Sequence, residues 1–138
     1  MSRPIFDTAS SADIPQIALL WEACGLTRPW NDPARDISYC LERPESELFI
    51  VSQDGAIIGT VMTGADGHRG WVYYLAIAET HRGQGLARRL MREAESWLTA
   101  RGVWRLNLMV RQDNIAIRDF YDRLGFRTSD VVVLQKDL

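Results

Sequence analysis

Along the chain, apolar residues switch repeatedly between a helical and a strand-like rhythm, and the switches mark its elements. A short extended run from Pro4 to Asp7 comes first. Ser10 or Ser11 then caps a helix whose apolar residues Ile14, Ile17, Ala18 and Trp21 share one side, and Gly25 stops it. After the polar turn Thr27-Arg28-Pro29-Trp30-Asn31, Asp32 is the N-cap and Pro33 the first residue of a second helix, which ends before Pro44. Leu48 to Ser52 and Ile57 to Met62 read as strands on either side of Gln53-Asp54-Gly55-Ala56, where Asp54-Gly55 is a hairpin signal. The turn Asp66-Gly67-His68-Arg69-Gly70 leads into a third strand, Trp71 to Ala78, and completes a meander.

Beyond this point Ala87, Leu90, Met91, Ala94, Trp97 and Leu98 form one wide apolar stripe, which predicts a long amphipathic helix ended by Gly102. Trp104 to Val110 returns as a strand, so strand, helix and strand demand a parallel pair with a right-handed crossover. Asp113 or Asn114 caps a last helix carrying Ile117, Phe120, Tyr121 and Leu124, Gly125 breaks it, and Phe126 to Leu134 closes the chain as an extended segment. The expected architecture is a single α+β domain over residues 1–138, with a mixed, mostly antiparallel sheet and helices on both faces.

Composition restricts the function more than the fold. With 46% apolar and 25% charged residues, the chain has the profile of an ordinary globular protein. Sixteen Lys and Arg against 18 Asp and Glu give a net charge of −2, and acids intersperse the basic residues, so no stripe exists to grip nucleic acid. No apolar run approaches the ~20 residues that cross a bilayer, and residues 1–7 lack the apolar stretch of a leader, so the expected location is the cytoplasm. Cys24 and Cys40 form no C-x-x-C pair and are expected as buried thiols. No metal site is expected, because His68 and His81 lie far apart with no cysteine near either.

The chemistry concentrates between the third strand of the meander and the long helix, in His81-Arg82-Gly83-Gln84-Gly85-Leu86-Ala87. Its glycines fall where the first turn of the helix leaves N–H groups unsatisfied, and a helix start carries about half a positive charge, so an anion such as pyrophosphate can bind there. A Walker A loop is excluded, since it needs a lysine and the only one is Lys136. A dinucleotide fingerprint needs a third glycine where Arg88 stands. A plain glycine-bearing turn with a solvated Arg82 is the remaining alternative.

Arg82-x-x-Gly85-x-Ala87, between a strand ending Leu75-Ala76-Ile77 and a long amphipathic helix, resembles the Gln/Arg-x-x-Gly-x-Gly/Ala motif of the GNAT superfamily, the Gcn5-related N-acetyltransferases. Asn114-x6-Tyr121-x-x-Leu124-Gly125-Phe126 is similar to the second signature of that family, and the element order matches its fold from about residue 5 to residue 135. The resemblance departs in having Ile117 where members often carry Ala, and Trp71 near the position where some keep a basic glutamate. It implies acetyl-CoA as donor, with the amides of Gly83, Gln84, Gly85, Leu86 and Ala87 receiving the pyrophosphate. It also implies a gap between the strands at 71–78 and 104–110, where Leu75, Ala76 and Ile77 meet the pantetheine arm and an amide near Ile77 faces the thioester oxygen.

On this reading Asn114 holds the donor, as well as capping its helix, and Tyr121 is the acid that protonates the departing thiolate, because a phenol of pKa ~10 is close enough to a thiol's ~8.5 to share its proton. Tyr121 also lies on a buried stripe, where it can serve as core. Asp32, Asp66, His68 and Glu79 are candidate bases, each with a capping, turn or solvated alternative, and His68 has the best matched pKa. Arg28, Trp30, Asn31 and His68 are the candidate acceptor contacts. The leading expectation is direct transfer of an acetyl group to a primary amine of a small molecule, amino acid or protein N-terminus. A catalytically silent acyl-CoA-binding module is the rival and a nucleotide-binding protein the third reading. Val131-Val132-Val133-Leu134, at a sheet edge, invites a homodimer.

Overall fold

The computed structural model describes residues 2–138. Five strands make one sheet in chain order: β1 (Ile5–Thr8), β2 (Ser46–Gln53), β3 (Ala56–Ala65), β4 (Gly70–Ile77) and β5 (Leu106–Leu108). All neighbours pair antiparallel except β4 and β5, which are parallel as the crossover requires. Helices α1 (Ile14–Ala23) and α2 (Pro33–Leu41) connect β1 to β2, α3 (Leu86–Ala100) connects β4 to β5, and α4 (Ile115–Arg123) follows β5. This is the expected α+β class.

Two apolar layers sandwich the sheet. On one face α3 buries Leu86, Leu90, Met91 and Ala94 against Val51, Val61, Val72 and Ile77, and Leu98 is buried further along the same helix. Each side chain of this size contributes roughly 1.5–3 kcal/mol when removed from water. Trp97, expected on the same stripe, is only half-buried and lies under the guanidinium of Arg101, 3.5 Å from its ring centroid. On the other face α1 and α2 pack Ile17, Leu20, Trp21, Ile37 and Cys40 against Leu48, Ile50 and Ala76.

The pairing of β3 with β4 slips in the middle: Thr60 faces Ala76, but Met62 faces Tyr73, leaving one extra residue on β4. At that bulge Tyr74 takes a φ of 53°, a left-handed conformation that a tyrosine rarely adopts. Three contacts hold it there. Its ring stacks on Trp21, with centroids 3.7 Å apart, its hydroxyl donates to Asp36 Oδ2 at 2.9 Å, and its carbonyl accepts from Thr60 Oγ1 at 2.8 Å. Trp21 Nε1 in turn donates to the fully buried Thr60 Oγ1 at 2.9 Å.

Two expectations need correction. The strand expected over Trp104 to Val110 is paired only at Leu106–Leu108, opposite Gly70–Val72, because β4 diverges from β5 after Val72. The extended segment Phe126 to Leu134 joins no strand among the described residues, and Val131 to Leu134 are exposed. Its β-branched residues carry strand propensity, but nothing in the fold offers them a partner.

Replacing Trp21 by Phe keeps an aromatic ring against Tyr74 and removes the bond to Thr60. Urea unfolding is expected to show a loss of about 1–2 kcal/mol with an unchanged m-value.

Candidate active site

Because β5 pairs with β4 only as far as Val72, the rest of β4 borders open space, a cleft of about 730 Å³. Its walls are Leu75, Ala76 and Ile77 of β4, the loop and first turn of α3, Cys24 and Leu26 after α1, and Asn114, Ala116, Ile117 and Phe120 of α4. Ala78 N donates to Ile58 O on β3 at 2.8 Å, so alternation along β4 turns the amide of Ile77 away from β3 and into the splay.

At the head of α3, Gly83 and Gly85 both have a φ of 79°, which disfavours any side chain, and a Cβ at either would meet nothing within 4 Å. The loop therefore fronts open space. The first helical bond runs from Arg89 N to Gly85 O at 3.1 Å, which leaves the amides of Gly83 through Arg88 without protein acceptors. Arg82, Arg88 and Arg123 surround the same cleft, and among the described residues no Asp or Glu lines it, although the chain has more acids than bases. Unpaired amides, a helix N-terminus and unopposed guanidinium groups together suit a multiply charged phosphate ester. Coenzyme A, with a pyrophosphate at one end and an amide-bearing arm for the β4 edge, fits this donor set.

Of the residues singled out for the donor, Leu75, Ala76, Ile77, Arg82, Gly83, Gly85, Leu86, Ala87 and Asn114 line the cleft together, while Gln84 sits on the same loop facing solvent. Asn114 Oδ1 accepts from Ile117 N at 3.2 Å as the cap of α4, which leaves its amide hydrogens free to donate. Arg82 is bent back over the β4 edge, with Nε donating to Ile77 O at 3.0 Å. Cys24, expected as a buried thiol, is instead half-exposed in the wall, with Sγ 3.5 Å from the same carbonyl and 3.8 Å from Arg82.

Tyr121 lies behind the wall rather than in it. Its ring is buried in the same core cluster as Leu90, Met91 and Val72, edge-on to Phe120 and Phe126, and it is Phe120 rather than Tyr121 that lines the cleft. Burial alone pushes its phenol up to about 12. No buried polar side-chain atom among the described residues lacks a partner, so the hydroxyl keeps an opening to solvent.

The acceptor candidates are not gathered at the cleft. His68 is in the turn that opens β4, at the opposite end of that strand from Ile77. Arg28 spends its guanidinium on Gly25 O and Thr27 O, both at 2.9 Å, and Trp30 and Asn31 are exposed on the same α1–α2 loop, whose Leu26 does reach the wall. Among the candidate bases, Asp66 is held ionised below the usual carboxylate range by the backbone amides of Arg69 and His68, with Trp71 Nε1 adding a bond, and so closes a turn. Asp32 caps α2 through Arg35 N, and Glu79 is exposed in the short turn after β4. Tyr74 and Arg123 carry no sequence signal of a role here, and Arg88 enters above only as the residue that breaks the dinucleotide fingerprint. Arg88 could have been found, since it follows the glycine loop by one helical turn.

The fold and this cleft define a CoA-dependent type of transferase architecture, and comparison with known proteins gives it a family. Residues 15–126 match the acetyltransferase (GNAT) family. An acetyltransferase of Yersinia enterocolitica is 47% identical over 128 residues, covering 92% of this chain and 90% of that protein. An acetyltransferase of Pectobacterium atrosepticum is 44% identical, covering 91% and 89%. Among solved structures, the aminoglycoside acetyltransferase AAC(6')-Iy in complex with a CoA bisubstrate analogue superposes with a TM-score of 0.85 at 16% identity, over 99% of both chains. A predicted acetyltransferase with acetyl-CoA from Clostridium acetobutylicum gives 0.82 at 16%, over 97% and 96%. The chain belongs to the GNAT family and is an acetyltransferase by that membership.

The two raised phenols give a pH test. Burial, and for Tyr74 also the bond and charge of Asp36, hold Tyr74 and Tyr121 protonated to about 12 in the folded chain, whereas in the unfolded chain they ionise near ~10. Between these values the unfolded state binds fewer protons, so stability present below pH 10 falls as pH rises toward 12. The urea midpoint is expected to drop across that window, and Tyr121→Phe to flatten part of the drop.

Proposed function

We propose that this protein transfers the acetyl group of acetyl-CoA to a primary amine, of a small molecule, an amino acid or a protein N-terminus, by direct attack while donor and acceptor are bound together. The observation that carries the reading is the cleft at the β4–β5 splay, where unpaired amides from Gly83 to Arg88 and an unopposed arginine set meet a strand edge with free backbone groups. The whole chain acts as one domain in this reading. It works in the cytoplasm as a homodimer.

Acetyl-CoA supplies an acyl group activated as a thioester. The chain supplies position and charge. The α3 amides and Arg88 hold the pyrophosphate end, Asn114 donates its free amide hydrogens along the arm, and the β4 edge from Leu75 to Ile77 orients the amide-bearing segment. Binding draws Arg82 from Ile77 O toward phosphate. The Ile77 N–H faces the carbonyl oxygen and stabilises the charge that develops on it during attack, a contribution of several kcal/mol for such donors. Tyr121, protonated at every physiological pH, is assigned the proton for the leaving sulfur, relayed through water, and the proton that the attacking amine loses passes through water to solvent, from which the phenolate is reprotonated. Residues of the α1–α2 loop, with Arg28, Trp30 and Asn31, face the acceptor. Acceptors with an amine on a sugar-like body are a natural first panel, because structural neighbours include aminoglycoside acetyltransferases.

Two measurements decide between an enzyme and a silent CoA binder. With saturating acetyl-CoA and a panel of amines, thiol release is expected to rise with acceptor concentration, and tight binding of CoA with no acceptor-dependent release would overturn the reading. Tyr121→Phe is expected to lower kcat by roughly 10²-fold or more while KM for acetyl-CoA changes less than about 3-fold.

A further inference from the structure

The bulge in β4 does more than bend the strand. Val72 joins the core under α3, so strict alternation would send Tyr73 to the α1–α2 face and Tyr74 back under α3. Tyr74 instead stacks on Trp21 of α1, because the surplus residue with its positive φ resets the alternation. Tyr73 and Tyr74 therefore stand side by side on one face. Trp71 shares it, stacked on Tyr73 with centroids 6.4 Å apart and pinned through its indole N–H to Asp66 Oδ2 at 3.1 Å. The helices on this face pack over Leu48, Ile50 and Ala76 and leave Tyr73 40% exposed.

At the end of this aromatic strip stands a carboxylate without a countercharge. Asp36, in the first turn of α2, is half-buried and accepts the Tyr74 hydroxyl on Oδ2 at 2.9 Å. Its Oδ1 has no hydrogen-bond donor and no ion-pair partner among the described residues, and since no buried polar side-chain atom there goes unpartnered, that oxygen is open to solvent. The helix start favours the charged form. Arg28, on the neighbouring loop, spends its guanidinium on Gly25 O and Thr27 O. An exposed carboxylate oxygen next to exposed aromatic rings is a receptor for an alkyl ammonium, which gains from the charge and the ring face together. The donor cleft has the opposite character, with arginines and no carboxylate among its walls.

We propose that the acceptor is a small diamine, lying along the α1–α2 face of β4, whose second, charged nitrogen is held by Asp36 and the ring of Tyr73 while its first reaches the splay. This deepens the proposed function by naming the class of acceptor, and it rests on that reading. Two nitrogens are needed because an amine paired with a carboxylate stays protonated and has no lone pair to offer a thioester. Positions 74 and 77 are roughly 10 Å apart along the strand, so the two nitrogens are separated by several carbons. The donor and the acceptor are then sorted by sign, the polyanion to the arginines and the dication to Asp36. Asp36 is a specificity-determining residue on this reading and takes no part in the proton transfers.

Calorimetry on the CoA-loaded chain with diaminobutane through diaminooctane reads the site without turnover. Thiol release from acetyl-CoA, with these diamines and with monoamines of equal length, reads its use. The variant is Asp36→Asn, whose amide oxygen still accepts the Tyr74 hydroxyl while the charge is gone. Diamine binding is expected to weaken roughly 10- to 100-fold in this variant, and the kcat/KM advantage of diamines over monoamines, of similar size in the native chain, is expected to vanish with it. Affinity for CoA is expected to persist, which separates a lost cation site from a disturbed β4. If CoA affinity falls as well, Tyr73→Leu, at an exposed position, decides: a several-fold loss of diamine affinity supports the site and an unchanged affinity overturns it. Absent diamine binding, binding indifferent to Asp36→Asn, or monoamines used as well as diamines overturns the proposal and leaves acetyl transfer standing. Asp36-dependent diamine binding with no thiol release from any amine overturns the transfer reading and leaves the cation site.

Discussion

The stack of Trp21 on Tyr74, with Thr60 bonded to both, is the interaction on which the working part of the molecule depends. A sheet of regular strands would keep β4 and β5 hydrogen-bonded along their length and leave no room between them. One surplus residue in β4 bends the strand, and that residue is forced to a positive φ at a cost of order 1–3 kcal/mol. The stack, the bond to Asp36 and the buried Thr60 hydroxyl offset that cost from the face opposite the cleft. The α1–α2 layer is thus both cover for the sheet and the support that keeps its centre open.

Once the strands part, the remaining features follow from ordinary backbone chemistry. The freed edge of β4 has unsatisfied groups, the start of α3 has more, and two glycines keep the space in front of them clear. Placing arginines but no carboxylates around that space makes it attractive to a polyanion even though the protein as a whole is slightly acidic. The proposed catalysis by proximity and oriented amides asks little of titrating side chains, and two of the four candidate bases have other occupations. Asp66 closes a turn and Asp32 caps a helix.

Much of this architecture was legible in the sequence because it is written in periodicity and in residues with one conformational specialty. The stripe from Leu90 to Leu98, Pro33 after Asp32, Asp54-Gly55 and Asn114 each impose a local outcome that the fold adopts. The glycine loop was readable for the same reason. The bulge was not, since nothing in the type of Tyr74 favours a left-handed backbone, and only its tertiary partners make it stable there. The length of β5 and the fate of Val131 to Val133 were misjudged because strand propensity describes a residue and pairing describes a neighbour. Tyr121 shows the limit in another form: the spacing from Asn114 puts it two helical turns along α4, but not whether the ring faces the cleft or the core. Cys24 was placed on a buried side by its helix, and the helix ends just before it.

The narrow attachment of β5 has a mechanical corollary. Three paired positions and the face of α4 are what join the carboxy-terminal quarter of the chain to the rest, while β1 through β4 are held to one another by longer ladders. Spontaneous local opening therefore begins along the same seam that admits the ligand. A molecule seated across it bridges the two portions like a rivet, so occupancy should be felt first in the cohesion of the weaker portion.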